Sequence, residues 1–157
     1  MAEINGIAHI ALTVSNLERS KPFYRKLFDS LDMKIVLDND YGFYGVGGRT
    51  GVIIHQGPEE NRTQSFNQEH TGLHHFCFRA RSKEDVDEIH DTALGIGAKI
   101  IHGPQEDGFA PGYYSVLFED PDGIRLEANF IPGKGILEPG LDQIGRKNSE
   151  WDQPDKA

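Results

Sequence analysis

The sequence contains one cysteine, Cys77, so no disulfide can form within the chain. It has no long apolar run, and its amino terminus lacks the basic segment and apolar stretch of a secretion signal. From these absences we expect a cytoplasmic protein that has no membrane partner. Cys77 lies in an apolar segment, and we interpret it as a small core residue and not as a nucleophile.

Positive charge is also scarce. The chain has 16 Lys and Arg residues against 25 Asp and Glu residues, which gives a net charge of −9. Because nucleic-acid binding requires a basic surface, this balance argues against nucleic acid as a partner. The 157 residues are 37% hydrophobic, which is enough to build one domain with a buried core.

The sequence does contain an internal repeat. A shift of 66 residues, from His9 to His75, superimposes three pairs of segments. These pairs are residues 7–12 and 73–78, 15–18 and 81–84, and 33–36 and 99–102. The first and third pairs predict strands, and the second pair begins helices that carry apolar stripes. Pro22 should either kink the first helix or delay its start beyond Leu17.

The repeat then slips and resumes with a shift of 72 residues, from His55 to Glu127. The pairs are now residues 41–44 and 113–116, 47–51 and 119–123, and 52–55 and 124–127. The middle pair is a turn, marked by Pro-Asp-Gly in the second half, and the outer pairs predict the strands of a hairpin. Each half therefore predicts a strand, a helix and three strands, so that the fold is α+β with two βαβββ modules.

These modules define the expected domain organisation. We predict one domain over residues 1–131, with a first module at 4–57, a polar linker at 58–71 and a second module at 72–131. Residues 132–157 are rich in Gly, Pro and charge and predict a polar tail.

Four polar residues occupy matching places in the two halves. His9 and His75 share a position in the first strand, and His55 and Glu127 share one in the last. The first and last strands of a βαβββ unit can lie side by side, so two modules could bring all four groups into one cleft. The competing interpretation is scattered polar residues on solvated strand faces. Imidazole and carboxylate together suit a divalent ion such as Zn, Ni, Fe, Mn or Co.

The other histidines are not expected at this site. His74 is one residue out of phase with His75 and should face away, and the remaining histidines are interpreted as structural surface or loop residues.

Three segments carry a family resemblance: IAHIALTVSNLERSKPFYRKLF, GLHHFCFRA and YYSVLFEDPDGIRLEANF. With them the chain, over about residues 4–131, resembles the vicinal oxygen chelate superfamily. That superfamily includes glyoxalase I, fosfomycin-resistance thiol transferases, extradiol dioxygenases and bleomycin-binding proteins. The resemblance implies a cupped mixed sheet and three metal ligands, His9, His75 and Glu127. His55 stands where glyoxalase I-like members have a glutamate, and it is expected as a fourth ligand or as a base beside the metal.

The resemblance further implies a small-molecule substrate that chelates the metal through neighbouring oxygens. It also implies a homodimer, because the cup in this superfamily is often completed by a module of another chain. Four ligands favour a glyoxalase I-like lyase or isomerase, with Glu127 as the base and Tyr113 or Tyr114 as helpers. Three ligands form the triad that non-haem Fe(II) oxygenases use, which favours an extradiol-type dioxygenase. The third alternative is a drug-binding or resistance protein without catalysis. Fosfomycin transfer is disfavoured because residues 103–115 lack a Ser-rich cation loop.

Overall fold

A computed structural model describes residues 1–135 of the chain. Its elements are β1 (His9–Val14), α1 (Leu17–Ser30), β2 (Lys34–Asn39), β3 (Gly42–Gly47), β4 (Thr50–Gln56), a short 3-10 helix (Glu59–Asn61), β5 (Phe76–Arg79), α2 (Lys83–Gly95), β6 (Lys99–Glu106), β7 (Tyr114–Glu119) and β8 (Arg125–Phe130). The predicted α+β fold with two βαβββ modules is confirmed. Most of the predicted tail, from residue 136 onward, lies outside the described residues. Neither α1 nor α2 is long and apolar enough to cross a membrane.

Each module forms its own four-stranded mixed sheet. The strand orders are β1-β4-β3-β2 and β5-β8-β7-β6, with β1 parallel to β4, β5 parallel to β8 and the other pairs antiparallel. The first and last strands of each module are therefore neighbours, as the repeat predicts. One face of each sheet packs on the helices in a shared core, and the other face is left for the functional residues.

The first helix begins at Leu17 and continues through Pro22. Its start is fixed by Asn16, whose side-chain oxygen accepts a hydrogen bond of 3.0 Å from the backbone N–H of Arg19. Of the two effects expected of Pro22, a kink or a delayed start, the delayed start is wrong. Proline removes one intrahelical hydrogen bond, and the buried apolar face that follows, which includes Tyr24 and Phe28, compensates for it.

The turn between β7 and β8 connects the second module to the first. The backbone N–H of Ser15 donates to the Asp122 carboxylate at 2.8 Å, and Arg19 forms an ion pair with the same carboxylate. Deeper in the core, the Tyr24 hydroxyl donates to Oδ2 of Asp120 at 2.8 Å. The Asp-Pro-Asp-Gly segment is thus both a hairpin turn and a contact between modules.

Candidate metal centre

The polar residues of the second module meet on one face of its sheet. His75 directly precedes β5 and Glu127 lies within β8, where the pairing of the two strands sets Cys77 opposite Glu127. The Nε2 atom of His75 is 3.0 Å from Oε2 of Glu127. The hydroxyl of Tyr113 donates a hydrogen bond of 2.5 Å to Oε1 of Glu127. Glu127 is only 7% exposed, and each of its two carboxylate oxygens contacts one of these side chains.

These contacts set the protonation states of the group. Burial is the largest effect on Glu127 and acts to raise its pKa, but hydrogen bonds from His75 and Tyr113, with the charges of His75 and His102, outweigh it and lower the pKa. Burial, followed by the hydrogen bond to Glu127, raises the pKa of Tyr113. Glu127 therefore remains a carboxylate, the state that metal binding requires, and Tyr113 remains a hydrogen-bond donor.

The group opens into a cavity of about 310 Å³. Its walls combine apolar, charged and imidazole side chains, contributed by His74, His75, Ile101, His102, Asp107, Phe109, Tyr113, Ser115, Leu117, Arg125 and Glu127. The volume and mixed lining are suitable for a small organic molecule that has polar groups at one end.

Arg125 and His102 also line the cavity, and neither was predicted as a site residue. Arg125 lies two residues before Glu127 in β8, so strand alternation could have placed it on the same face. His102 was interpreted as structural, but it lines the cavity. The alternation of side chains along a strand could not predict this position, because the pairing of β6 with β7 is irregular between Ile100 and His102. As a result, two consecutive residues, Ile101 and His102, line the same cavity.

The expectation that His74 faces away from the site is wrong. Strand β5 begins at Phe76, so His74 and His75 both precede it and do not alternate between faces. Both rings line the cavity, and their Nδ1 atoms are 2.7 Å apart. Burial, then the neighbouring charges of His75 and Arg125, lower the pKa of His74.

Two further predicted residues have other surroundings. Tyr114, expected as a helper, donates from its hydroxyl to Asp87 on α2 at 2.8 Å, and Lys83 lies over its ring. It is not among the residues that line the cavity. Cys77, expected in the core, is exposed, because it lies on the open face of the sheet with His75 and not on the face covered by the helices.

His9 and His55 lie in the first sheet, where both are exposed. His9 is paired with Gly51, whereas His55 is paired with Thr13, whose hydroxyl lies 3.0 Å from the His55 Nε2 atom. His55 lies four positions after Gly51, about 13 Å along a strand. Two imidazoles so far apart do not readily reach one ion, so the register favours a site of three ligands. His55 as a fourth ligand stays a prediction.

The same pairing corrects the repeat alignment in the last strand. Cys77, which matches Ala11, pairs with Glu127, whereas Ala11 pairs with Ile53. Ile53, and not His55, is therefore the structural equivalent of Glu127. The slip arises in the turns, because residues 48–49 connect the first hairpin whereas residues 120–124 connect the second.

The separation of His75 and Glu127 fits two ligands of one ion. With bonds of about 2.1 Å to a first-row metal, ligands at a right angle lie about 3.0 Å apart, the distance observed between these nitrogen and oxygen atoms. In residues 1–135 of one chain, no group of three or more His, Cys, Asp or Glu side chains converges closely enough to hold an ion.

The fold and this arrangement define a class. A family model described as Glyoxalase/Bleomycin resistance protein/Dioxygenase superfamily matches residues 6–128, and the chain belongs to that superfamily. It is 31% identical to the YqjT protein of Bacillus subtilis, over 76% of this chain and 94% of that protein. It is 29% identical to the metallothiol transferase FosB of Shouchella clausii, over 80% of each. The structure of a proposed glyoxalase from Bacillus halodurans superimposes with a TM-score of 0.69, at 27% identity over 80% of this chain and 96% of that one.

Proposed function

We propose that the protein is a cytoplasmic, divalent-metal-dependent enzyme acting on a small substrate that binds the metal through neighbouring oxygens. The observation that carries this proposal is the pair formed by His75 Nε2 and Glu127 Oε2, 3.0 Å apart at the wall of a cavity. The family includes metal-dependent members, among them the metallothiol transferase relative, which supports a metal at this position.

The proposed site is shared between two chains. His75 and Glu127 would come from the second module of one chain, and His9 from the first module of its partner. Two observations support this arrangement. His9 is exposed on the open face of its sheet, and the described part of a single chain assembles only two of the three ligands.

The residues of the chain have separate roles in this proposal. The bound metal would act as a Lewis acid that stabilises negative charge on a substrate oxygen. Glu127 binds the ion and is held by Tyr113, which donates to the carboxylate oxygen that does not face His75. Arg125 places positive charge on the cavity wall, and His102 lines the same cavity, so an anionic substrate group would be favoured beside Arg125. Ile101, Phe109 and Leu117 exclude water from the apolar part of the substrate.

The leading reaction is non-oxidative, as in a glyoxalase-like lyase or isomerase. The sequence argument for it relied on four ligands, and the register now favours three. The choice of a non-oxidative reaction therefore rests on the relatives, a proposed glyoxalase and a metallothiol transferase. Addition of a thiol to the substrate is a second non-oxidative reaction that the transferase relative supports. The three-ligand count itself favours the second candidate, an extradiol-type dioxygenase, because a triad leaves positions for substrate and O₂.

Metal titration of the dialysed protein tests the site. We expect about one Mn(II), Co(II) or Zn(II) per chain, and His9→Ala, His75→Ala and Glu127→Gln should each weaken binding at least about 10-fold. His55→Ala is the matched control and should bind as the wild type does. Retention of full affinity by the first three variants would disprove the site, whereas loss in His55→Ala would restore the four-ligand assignment.

A substrate screen tests the reaction. The metal-loaded protein should convert α-dicarbonyl or α-hydroxycarbonyl compounds, with or without an added thiol, at equal rates in air and under argon. Oxygen consumption by the Fe(II) form with catechols, and no anaerobic turnover, would assign it as a dioxygenase. Drug binding without turnover of any substrate would support the resistance-protein alternative.

A further inference from the structure

His74 lines the cavity and contacts His75, although neither strand alternation nor the expected set of ligands predicts this. Its ring and that of His75 have centroids 5.0 Å apart and an interplanar angle of 78°. Their Nδ1 atoms lie 2.7 Å apart, within hydrogen-bond distance. The opposite nitrogen of His75, Nε2, faces Oε2 of Glu127 at 3.0 Å. His75 therefore lies between His74 and Glu127, with Nδ1 facing the first and Nε2 facing the second.

This arrangement determines which tautomer of His75 can bind a metal. A neutral imidazole carries one proton, and the nitrogen that binds an ion must offer its lone pair. Without an ion, Nε2–H of His75 donates to Glu127. When Nε2 instead binds an ion, the proton is on Nδ1 and must be donated to an acceptor. Nδ1 of His74 is such an acceptor at 2.7 Å. Outer partners of this kind orient a ligating imidazole and raise its basicity.

We propose that His74 is a positioning residue for the metal centre: its Nδ1 accepts a hydrogen bond from Nδ1–H of His75 and so holds the lone pair of Nε2 toward Glu127 and the ion. This inference rests on the proposed metal site. His74 itself does not bind the ion. Its imidazole fixes the orientation and the tautomer of the residue that does.

The position of the two residues before β5 makes this role possible. Within a strand, consecutive side chains point to opposite faces, so adjacent histidines could not contact each other beside the same cavity. Because β5 begins at Phe76, residues 74 and 75 are free of that alternation. The late start of β5 is thus the structural feature that supplies His75 with its neighbour.

An isosteric pair of variants tests the proposal. Asn and Leu have nearly the same size, but only Asn carries an oxygen near the position of the imidazole Nδ1. His74→Leu should weaken binding of Mn(II) or Zn(II), measured by chelator competition, about 10- to 100-fold. His74→Asn should stay within about 3-fold of the wild type. The visible spectrum of the Co(II) protein should change in His74→Leu and be preserved in His74→Asn.

Controls separate this inference from the metal site itself. His90→Leu removes a half-buried imidazole from α2 and should leave metal affinity unchanged, and thermal unfolding of each metal-free variant reports on folding. Wild-type affinity in a folded His74→Leu, or equal losses in the Leu and Asn variants, would overturn the role of His74 while the metal site stands. Failure of the wild type to bind any of these ions would overturn both.

Discussion

At the scale of single residues, Tyr113 and Tyr114 are neighbours in sequence with different surroundings. Tyr113 donates to Glu127 beside the cavity, whereas Tyr114 donates to Asp87 on α2. We expect Tyr113→Phe to weaken metal binding about 10-fold, because Glu127 loses a hydrogen bond that orients it. Tyr114→Phe makes the same chemical change outside the cavity and should bind metal as the wild type does. Chelator competition on both variants measures this, and equal affinities would remove Tyr113 from the site.

Residues at the site also show how far sequence reasoning reaches. The repeat brought His75 and Glu127 to notice because each was matched with a histidine of the first half, and the structure places the two 3.0 Å apart. It could not find His74 or His102, because each depends on a departure from regular strand geometry. His74 precedes a strand that begins late, and His102 follows an irregularity in the pairing of β6. Alternation predicts only regular strands, and these two positions are not in regular strands.

At the scale of elements, the turn between β7 and β8 was predicted as a hairpin turn from Asp-Pro-Asp-Gly. Its second role, contact with α1, could not be predicted, because it joins Asp120 and Asp122 to residues about a hundred positions away. The same limit explains why the repeat alignment matched Glu127 with His55 and not with Ile53. Turn lengths of two and five residues shift β4 against β8, and the two segments match in sequence without revealing that shift.

The contact of this turn with α1 makes a stability prediction. Asp120 is 6% exposed, and its Oδ2 accepts from the hydroxyl of Tyr24, which is fully buried. Tyr24→Phe keeps the packing but leaves that oxygen without this donor, at an expected cost of about 1–3 kcal/mol in the free energy of unfolding. Tyr41→Phe is the control, because Tyr41 is 85% exposed and should change stability by less than about 0.5 kcal/mol. Urea denaturation of the metal-free protein compares the two, and equal stabilities would show that the hydrogen bond contributes nothing.

At the scale of the whole molecule, the proposed division of ligands between two sheets would make the assembly part of the site. His9 is exposed in the first sheet, and His75 contacts Glu127 of the second. If each site combines the first module of one chain with the second module of its partner, two defective chains can complement each other. A dimer of His9→Ala with Glu127→Gln has one site in which all three ligands are intact, and one that lacks two of them.

Mixing these two variants, unfolding them together and refolding them should therefore restore metal binding that neither has alone. Random pairing makes half of the dimers mixed, and half of their sites are intact, so recovery should approach about a quarter of the wild-type metal content. His75→Ala mixed with Glu127→Gln is the matched control. Both changes lie in the second module, so every site in every dimer lacks a ligand and no recovery is expected. Metal analysis after gel filtration gives the result. If His9→Ala with Glu127→Gln recovers no more metal than the control pair, each site is built from one chain, and the shared-site dimer is wrong.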